Sequence, residues 1–395
     1  MAHGLTDRHH PRLGEILAQV HALGASAVAP HPAHVDARAR FPAEAFAALR
    51  DAKLLSCYVP EAHGGMGLSI LDLSKICEAL GTYCASTAMI FAMHQIQVGC
   101  IVHHALGSPY FQRFAREIVE RQLLLASATT ELGIGGDVRT STCAVVTEGE
   151  RFSLVKQAPV ISYALDADGI LVTARRAPEA GPSDQVHCLV RKGDCTLEPL
   201  SSWDTLGFRG TCSLGFTLRA HAAFEQVLPV PYAEIHAKTM HPFSHSVWSS
   251  LWLGLASDAV AQARAIVRAQ ARKTPGTLPP AATRLAEVDG VCFRMRSLVE
   301  HTISEYHQRL AEHPGPFPSD FGFALRVNNL KVSASELVVD IVGKSLLICG
   351  MAGYRNDSKH TLGRHLRDAY GAALMVNNDR ILGQSSTMLL GMRDS

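Results

Sequence analysis

The chain has 395 residues, 47% of them hydrophobic, and a net charge of +1 from 37 Lys and Arg against 36 Asp and Glu. That length and composition suit two or three globular domains, and the near-neutral charge excludes the basic footprint of a nucleic-acid binder or of a protein held on an anionic membrane. No run reaches the roughly 18 apolar residues of a membrane span, the first residues lack the apolar core of a signal peptide, and ten cysteines without a C-x-x-C pair point to reduced, mostly buried thiols in a cytoplasmic protein.

Residues 12–126 read as helical, with Pro42 in the first turn of a helix running to Arg50. Gly64, Gly65 and Gly67 mark a turn, Ser69 is placed to cap a helix from Leu71 to Leu80, and the helical period continues from Ala85 to Leu106. After Leu125 the texture changes to short strands: 143–147, 152–155, 169–173, 186–190 and 214–218, separated by Gly, Pro, Asp and Glu. Helices resume near Ser244, with long ones from Trp248 to Ala271, Arg284 to Leu310, Phe323 to Cys349 and Asn377 to Leu390. The proline-rich stretch 312–319 interrupts them. Segregated blocks of helices, strands and helices predict an α+β fold, and no G-x-G-x-x-G follows a strand, so a nicotinamide site is not supported. The twenty histidines form no H-E-x-x-H; His241 and His245 are four apart, but Pro242 between them argues against a shared helical face, so no metal site is expected.

Six segments carry a resemblance. Tyr58 to Gly67 reads Y-V-P-E-A-H-G-G-M-G, Thr129 to Asp137 reads T-T-E-L-G-I-G-G-D, and Asp204 to Ser213 reads D-T-L-G-F-R-G-T-C-S. Ala271 to Gly276 reads A-R-K-T-P-G, Leu347 to Tyr354 reads L-I-C-G-M-A-G-Y, and Leu362 to Ala369 reads L-G-R-H-L-R-D-A. Together they resemble the acyl-CoA dehydrogenase superfamily of flavoproteins along nearly the whole chain. The resemblance implies an acyl-CoA dehydrogenase-like fold: an N-terminal helical domain (1–126), a central antiparallel β domain (127–235) and a C-terminal four-helix bundle (236–395). It implies FAD as cofactor, with FMN or reduced flavin as alternatives, in a homotetramer or homodimer with flavin at subunit interfaces.

By the same resemblance, Thr130 and Ser162 would contact the flavin, Arg272 and Thr274 would reach its pyrophosphate across an interface, and Gly350 and Asn378 would also touch it. Gly136, Arg209 and His245 would line the substrate site. Gly136 replaces a serine that helps hold an acyl-pantetheine chain, and Val160 replaces a tryptophan that packs on the flavin. A carboxylate suits removal of an α-proton, because burial can raise its pKa toward neutrality. Nine residues past Arg367, where the family keeps that glutamate, stands Val376. The alternative site, near Ser244, has none either: no glutamate lies between Ile235 and Ala286. The leading expectation is α,β-dehydrogenation of an acyl-CoA or acyl-carrier thioester, with electrons passing to an electron-transfer flavoprotein. The alternatives are a monooxygenase fed by a flavin reductase and acting on a small molecule, with His94 and Ser162 flanking the flavin's reactive edge, and a non-catalytic family member.

Overall fold

A computed structural model describes residues 9–317 and 320–391. The chain opens with six helices: α1 (Leu13–Leu23), α2 (Pro32–Arg38), α3 (Ala43–Asp51), α4 (Ile70–Gly81), α5 (Ala85–His104) and α6 (Pro109–Arg121). Ser69 caps α4 as its sequence predicts, in a capping box with Asp72. Helix α5 is long and apolar enough to pass for a membrane span, and its sides are almost wholly buried in this fold.

Seven strands follow in two sheets. β1 (Leu125–Ala128), β4 (Gly169–Arg175) and β5 (Gln185–Arg191) form one, in the order β1-β4-β5. β2 (Val146–Glu148), β3 (Arg151–Ala158), β7 (Gly215–Ala223) and β6 (Cys195–Ser201) form the other, in the order β2-β3-β7-β6. The expected antiparallel β domain is present with one parallel pair, β1 alongside β4 with Leu125 opposite Gly169. Two strands were missed by the sequence reading. β1 is only four residues, and β6 carries Pro199 beside a register shift on a sheet edge, where a missing N–H costs no ladder bond.

The C-terminal part holds the short α7 (Tyr232–Ile235), then α8 (His241–Lys273), α9 (Ala282–Glu312) and α10 (Phe321–Cys349), followed by α11 (Met351–Tyr354), α12 (Gly363–Leu374) and α13 (Asn378–Gly391). Helix α8 begins three residues before the point the sequence suggested, because Pro242 sits in its first turn, where no intrahelical N–H is needed. Helix α12 was not anticipated as an element. One continuous core runs through all three blocks, with Phe91, Phe111, Phe216, Phe243 and Trp252 fully buried. The ten cysteines are all unpaired and seven are buried.

Candidate active site

The glycine-rich loop leaves β1 and is anchored at its root. Glu131 is buried and accepts from Lys156 Nζ at 3.1 Å, from Ser141 Oγ at 2.6 Å and from the Cys143 N–H at 2.6 Å. Lys156 is an inward-facing residue of β3, also donating to the Thr173 carbonyl at 2.7 Å. Burial pushes the Glu131 carboxyl up, but Lys156 and the Ser141 and Thr142 hydroxyls outweigh it and hold the group below its ordinary value. Past this anchor, Gly133, Gly135 and Gly136 all take positive φ (89°, 56° and 79°), backbone that only glycine adopts freely. The loop then meets α13: Arg380 donates to the Gly135 carbonyl at 2.9 Å, and a Cβ on Gly136 would stand 2.7 Å from the Arg380 guanidinium.

Beside the loop, Thr130 donates to the Val160 carbonyl at 3.0 Å. Ser162 Oγ lies 2.8 Å from Ser213 Oγ, which lies 2.7 Å from Thr211 Oγ1, and Thr211 donates to the Phe208 carbonyl. Since a carbonyl only accepts, the hydroxyl hydrogens run from Ser162 through Ser213 to Thr211. The Ser162 oxygen therefore keeps its free lone pairs for an incoming donor.

The loop of Arg209 is clamped from two sides. Arg209 donates to the Asp36 carbonyl at 2.8 Å, to Asp204 Oδ1 at 2.8 Å and to the Thr205 carbonyl at 2.7 Å. Its Nε ties this loop to α2 and its Nη1 braces the loop internally. The R-D-A motif on α12 does the rest. Arg367 pairs with the Asp36 carboxylate and donates to the Leu206 carbonyl at 2.8 Å, and buried Asp368 accepts the Phe208 N–H at 2.7 Å. A Cβ on Gly207 would fall 2.2 Å from the Arg367 carbonyl, so only glycine admits this approach. The strongest motif in the sequence is thus a tie between β unit and bundle.

The start of α8, the middle of α10 and the α12–α13 turn meet at a polar junction. His241 and His245 do share a helical face, with ring centroids 4.6 Å apart, contrary to the sequence expectation, because Pro242 leaves the first turn intact. His241 Nε2 lies 2.8 Å from Asn328 Oδ1, and Asn328 donates to Ser385 Oγ at 3.0 Å. Lys331 Nζ donates to Asn378 Oδ1 at 2.6 Å, and Asn378 donates to Ser335 Oγ at 3.0 Å. Lys331 is fully buried without an ion pair, and burial lowers its pKa to about 8. His245 is buried, its Nδ1 stands 2.7 Å from the His241 carbonyl, and its Nε2 has no partner among the described residues. Val376 lies in the turn itself, 40% exposed, with φ of 47°. Both places where the resemblance put a glutamate, 376 and 244, belong to elements that meet here, and neither supplies a carboxylate. The sequence reading missed Asn328 and Lys331, whose only signal was polarity on the buried side of an otherwise apolar helix.

His94 stands apart. It is fully buried, with Nε2 2.7 Å from the Leu55 carbonyl and Nδ1 accepting the Leu125 N–H at 3.0 Å. Burial lowers its pKa to about 4. With both nitrogens committed to backbone, it ties α5 to β1, and its assignment to a flavin or substrate is corrected. Arg272 and Thr274 are exposed at the far end of α8. At ~1.5 Å per residue, Arg272 lies roughly 40 Å along the helix from His245. Gly350, with φ of 58°, ends α10 between exposed Leu347, Met351 and Tyr354. Neither reaches the junction within one chain.

A cavity of about 380 Å³ opens beside the glycine loop, lined by Asp137, Arg139, Thr140, Ser183, Tyr232 and His236. Among the described residues no group of His, Cys, Asp and Glu is arranged to hold a metal ion.

The acyl-CoA dehydrogenase N-terminal domain matches residues 11–131 and the C-terminal domain of the same family matches residues 240–375. Cyclohex-1-ene-1-carbonyl-CoA dehydrogenase of Geobacter metallireducens is 32% identical over 189 residues, 47% of this chain and 48% of the relative. A second such dehydrogenase, from Syntrophus aciditrophicus, is 29% identical with 47% of its length covered, so the match spans about half the length of these curated relatives. The probable acyl-CoA dehydrogenase YngJ of Bacillus subtilis is 24% identical over 87% of this chain and 88% of its own. Among solved structures, FMN-bound TdsC from Paenibacillus superposes with a TM-score of 0.82 at 18% identity, covering 98% of each chain. Butyryl-CoA dehydrogenase from Megasphaera elsdenii gives 0.81 at 20% identity, covering 99% of this chain and 100% of its own. These structural likenesses establish the fold, and with the two matching domains they lead to one conclusion: the chain belongs to the acyl-CoA dehydrogenase family of flavoprotein oxidoreductases.

Proposed function

We propose that this flavoprotein removes two hydrogens across the Cα–Cβ bond of an acyl thioester. The observation that carries the reading is the convergence of the glycine loop, the start of α8, the middle of α10 and the start of α13, linked by Arg380 to Gly135, His241 to Asn328 and Lys331 to Asn378. The curated relatives that match in sequence are named as dehydrogenases of acyl-CoA substrates. The residues fit a flavin. Open positive-φ glycines allow backbone to approach a flat ring, and the Ser162 oxygen is free to accept. Arg272 carries no ion pair within the described chain and can serve a phosphate of a neighbouring copy. Arg272 and Gly350 both stand on exposed surface, which supports a reading with FAD held between subunits of a homotetramer or homodimer. The flavin supplies two-electron acceptance; the chain's own residues position the thioester and take the proton. Turnover then needs an acceptor such as an electron-transfer flavoprotein.

One observation favours a second reading. Val376 puts an alkyl group in the turn where a carboxylate would work, and an apolar side chain there suits oxygen chemistry on reduced flavin; one structural neighbour, TdsC of Paenibacillus, is a dibenzothiophene monooxygenase. An anaerobic titration of the flavin-loaded protein with a panel of acyl-CoAs separates the two. Bleaching of the oxidised flavin band is expected. No bleaching with any chain length, followed by a hydroperoxide spectrum when the reduced protein meets oxygen, would transfer the assignment to oxygenation.

A further inference from the structure

The dehydrogenation reading needs a proton acceptor, and none of the side chains at the junction of α8, α10 and α13 is a carboxylate. Its named members are His241, His245, Asn328, Lys331, Ser335, Asn378 and Ser385. Most have their hydrogen-bonding groups matched. His241 bonds Asn328, Asn328 bonds Ser385, and Lys331 and Ser335 bond Asn378. His245 is the exception. Its residue is 3% exposed, and its Nδ1 faces the His241 carbonyl at 2.7 Å. A carbonyl cannot donate, so the neutral ring carries its hydrogen on Nδ1 and a bare lone pair on Nε2. That Nε2 is out of solvent and has no partner among the described residues. Buried nitrogens are nearly always satisfied, and an orphan calls for an explanation such as a ligand or a catalytic role.

The surroundings keep the lone pair available. Besides burial, the charges of His241 and His236 from its own side and of Lys331 from α10 disfavour an imidazolium, while the His241 carbonyl facing Nδ1 favours it. Ser244 Oγ and the Trp248 ring complete the wall, at 3.5 Å and with ring centroids 5.8 Å apart.

We propose that Nε2 of His245 accepts the α-proton of the acyl thioester. This rests on the dehydrogenation reading. The proton next to the thioester carbonyl passes to Nε2, giving an imidazolium that later returns it to water. The electron pair of that C–H bond becomes the Cα=Cβ bond, and a bound oxidised flavin would supply the two-electron acceptor for the departing β-hydride. Lys331 faces the same junction from the other wall, and its ammonium favours the negative charge that grows on the thioester.

The test uses the flavin-loaded protein and a 3-thia-acyl-CoA, which cannot be oxidised but can lose its α-proton. Exchange of that proton into D2O is followed by NMR at saturating analogue, and His245→Gln is expected to slow it by about 10²- to 10⁴-fold with flavin content unchanged. Adding Val376→Glu to His245→Gln should restore exchange. In the wild-type protein the His245 Nε2 resonance should shift when the analogue binds, a readout that survives if the variant fails to fold. Full exchange in a folded His245→Gln protein, or an unmoved Nε2 resonance, overturns the role of His245 and leaves the dehydrogenation reading standing. No exchange in wild type or in Val376→Glu overturns the reading itself.

Discussion

A β-branched side chain in left-handed backbone is rarely tolerated. Val376 holds φ of 47° in the α12–α13 turn while staying 40% exposed, so little packing rewards the strain. Val376→Gly should relieve about 1–2 kcal/mol of left-handed strain against about 0.5–1 kcal/mol of added chain entropy. The expected outcome is a higher Tm by thermal unfolding; a lower one would mean that the valine methyls pack better than their exposure suggests. The same residue was legible in the sequence as a replaced base, because a single position inside a recognised motif can be counted to. Its strain was not legible, since φ is set by the turn and not by the residue alone. His94 shows the reverse. A lone histidine on an apolar helix reads as a functional group or as a core hydrogen-bonder, and only the positions of the Leu55 carbonyl and the Leu125 N–H decide between them.

At the scale of elements, β1 and its loop are held by one buried ion pair. Glu131 and Lys156 come from separate segments, and each is nearly or fully buried. Glu131→Gln would leave the Lys156 ammonium in the interior without its partner, at a cost of about 3–5 kcal/mol. Chemical denaturation should show that loss, with the glycine loop released and flavin retention weakened; a loss below about 1 kcal/mol would show that the Thr173 carbonyl alone satisfies the lysine. Strand β3 alternates inward and outward, yet its inward set includes Lys156. A hydropathy pattern marks that lysine as solvent-facing, so its partner in the loop after β1 was invisible. The capped start of α4 and the long bundle helices were legible, because caps and a sustained 3.6-residue period are local signals. β1 and β6 were missed, being short or proline-bearing, and pairing partners far along the chain are what make them strands.

For the whole molecule, the buried and half-buried histidines set a pH limit. Burial holds His94 and His104 at about 4 and His103, His187 and His236 at about 3, with His241 and His245 also lowered. Unfolded, each would titrate near 6.5. Between that value and the folded one, the unfolded state binds protons that the folded state refuses, so stability falls as pH falls. The stability these groups permit is complete above about pH 6.5 and declines from there toward pH 4. Thermal unfolding from pH 8 to 5 should show a level Tm that then drops steeply; a level profile down to pH 5 would mean these rings take up protons inside the fold. By itself, the sequence determined the family, the α+β order of blocks, the glycine loop and the absence of a glutamate at two counted positions, because motifs and periodicity are carried by neighbours along the chain. Only the tertiary structure decided which polar groups are spent and which are free. Both nitrogens of His94 are consumed by backbone, Arg209 is engaged by two carbonyls and the Asp204 carboxylate, the R-D-A motif is a clamp, and His245 is left with a bare nitrogen. A side chain's hydrogen-bond partners come from elements as much as 331 positions away, as Asp36 is from Arg367, and no local pattern encodes them.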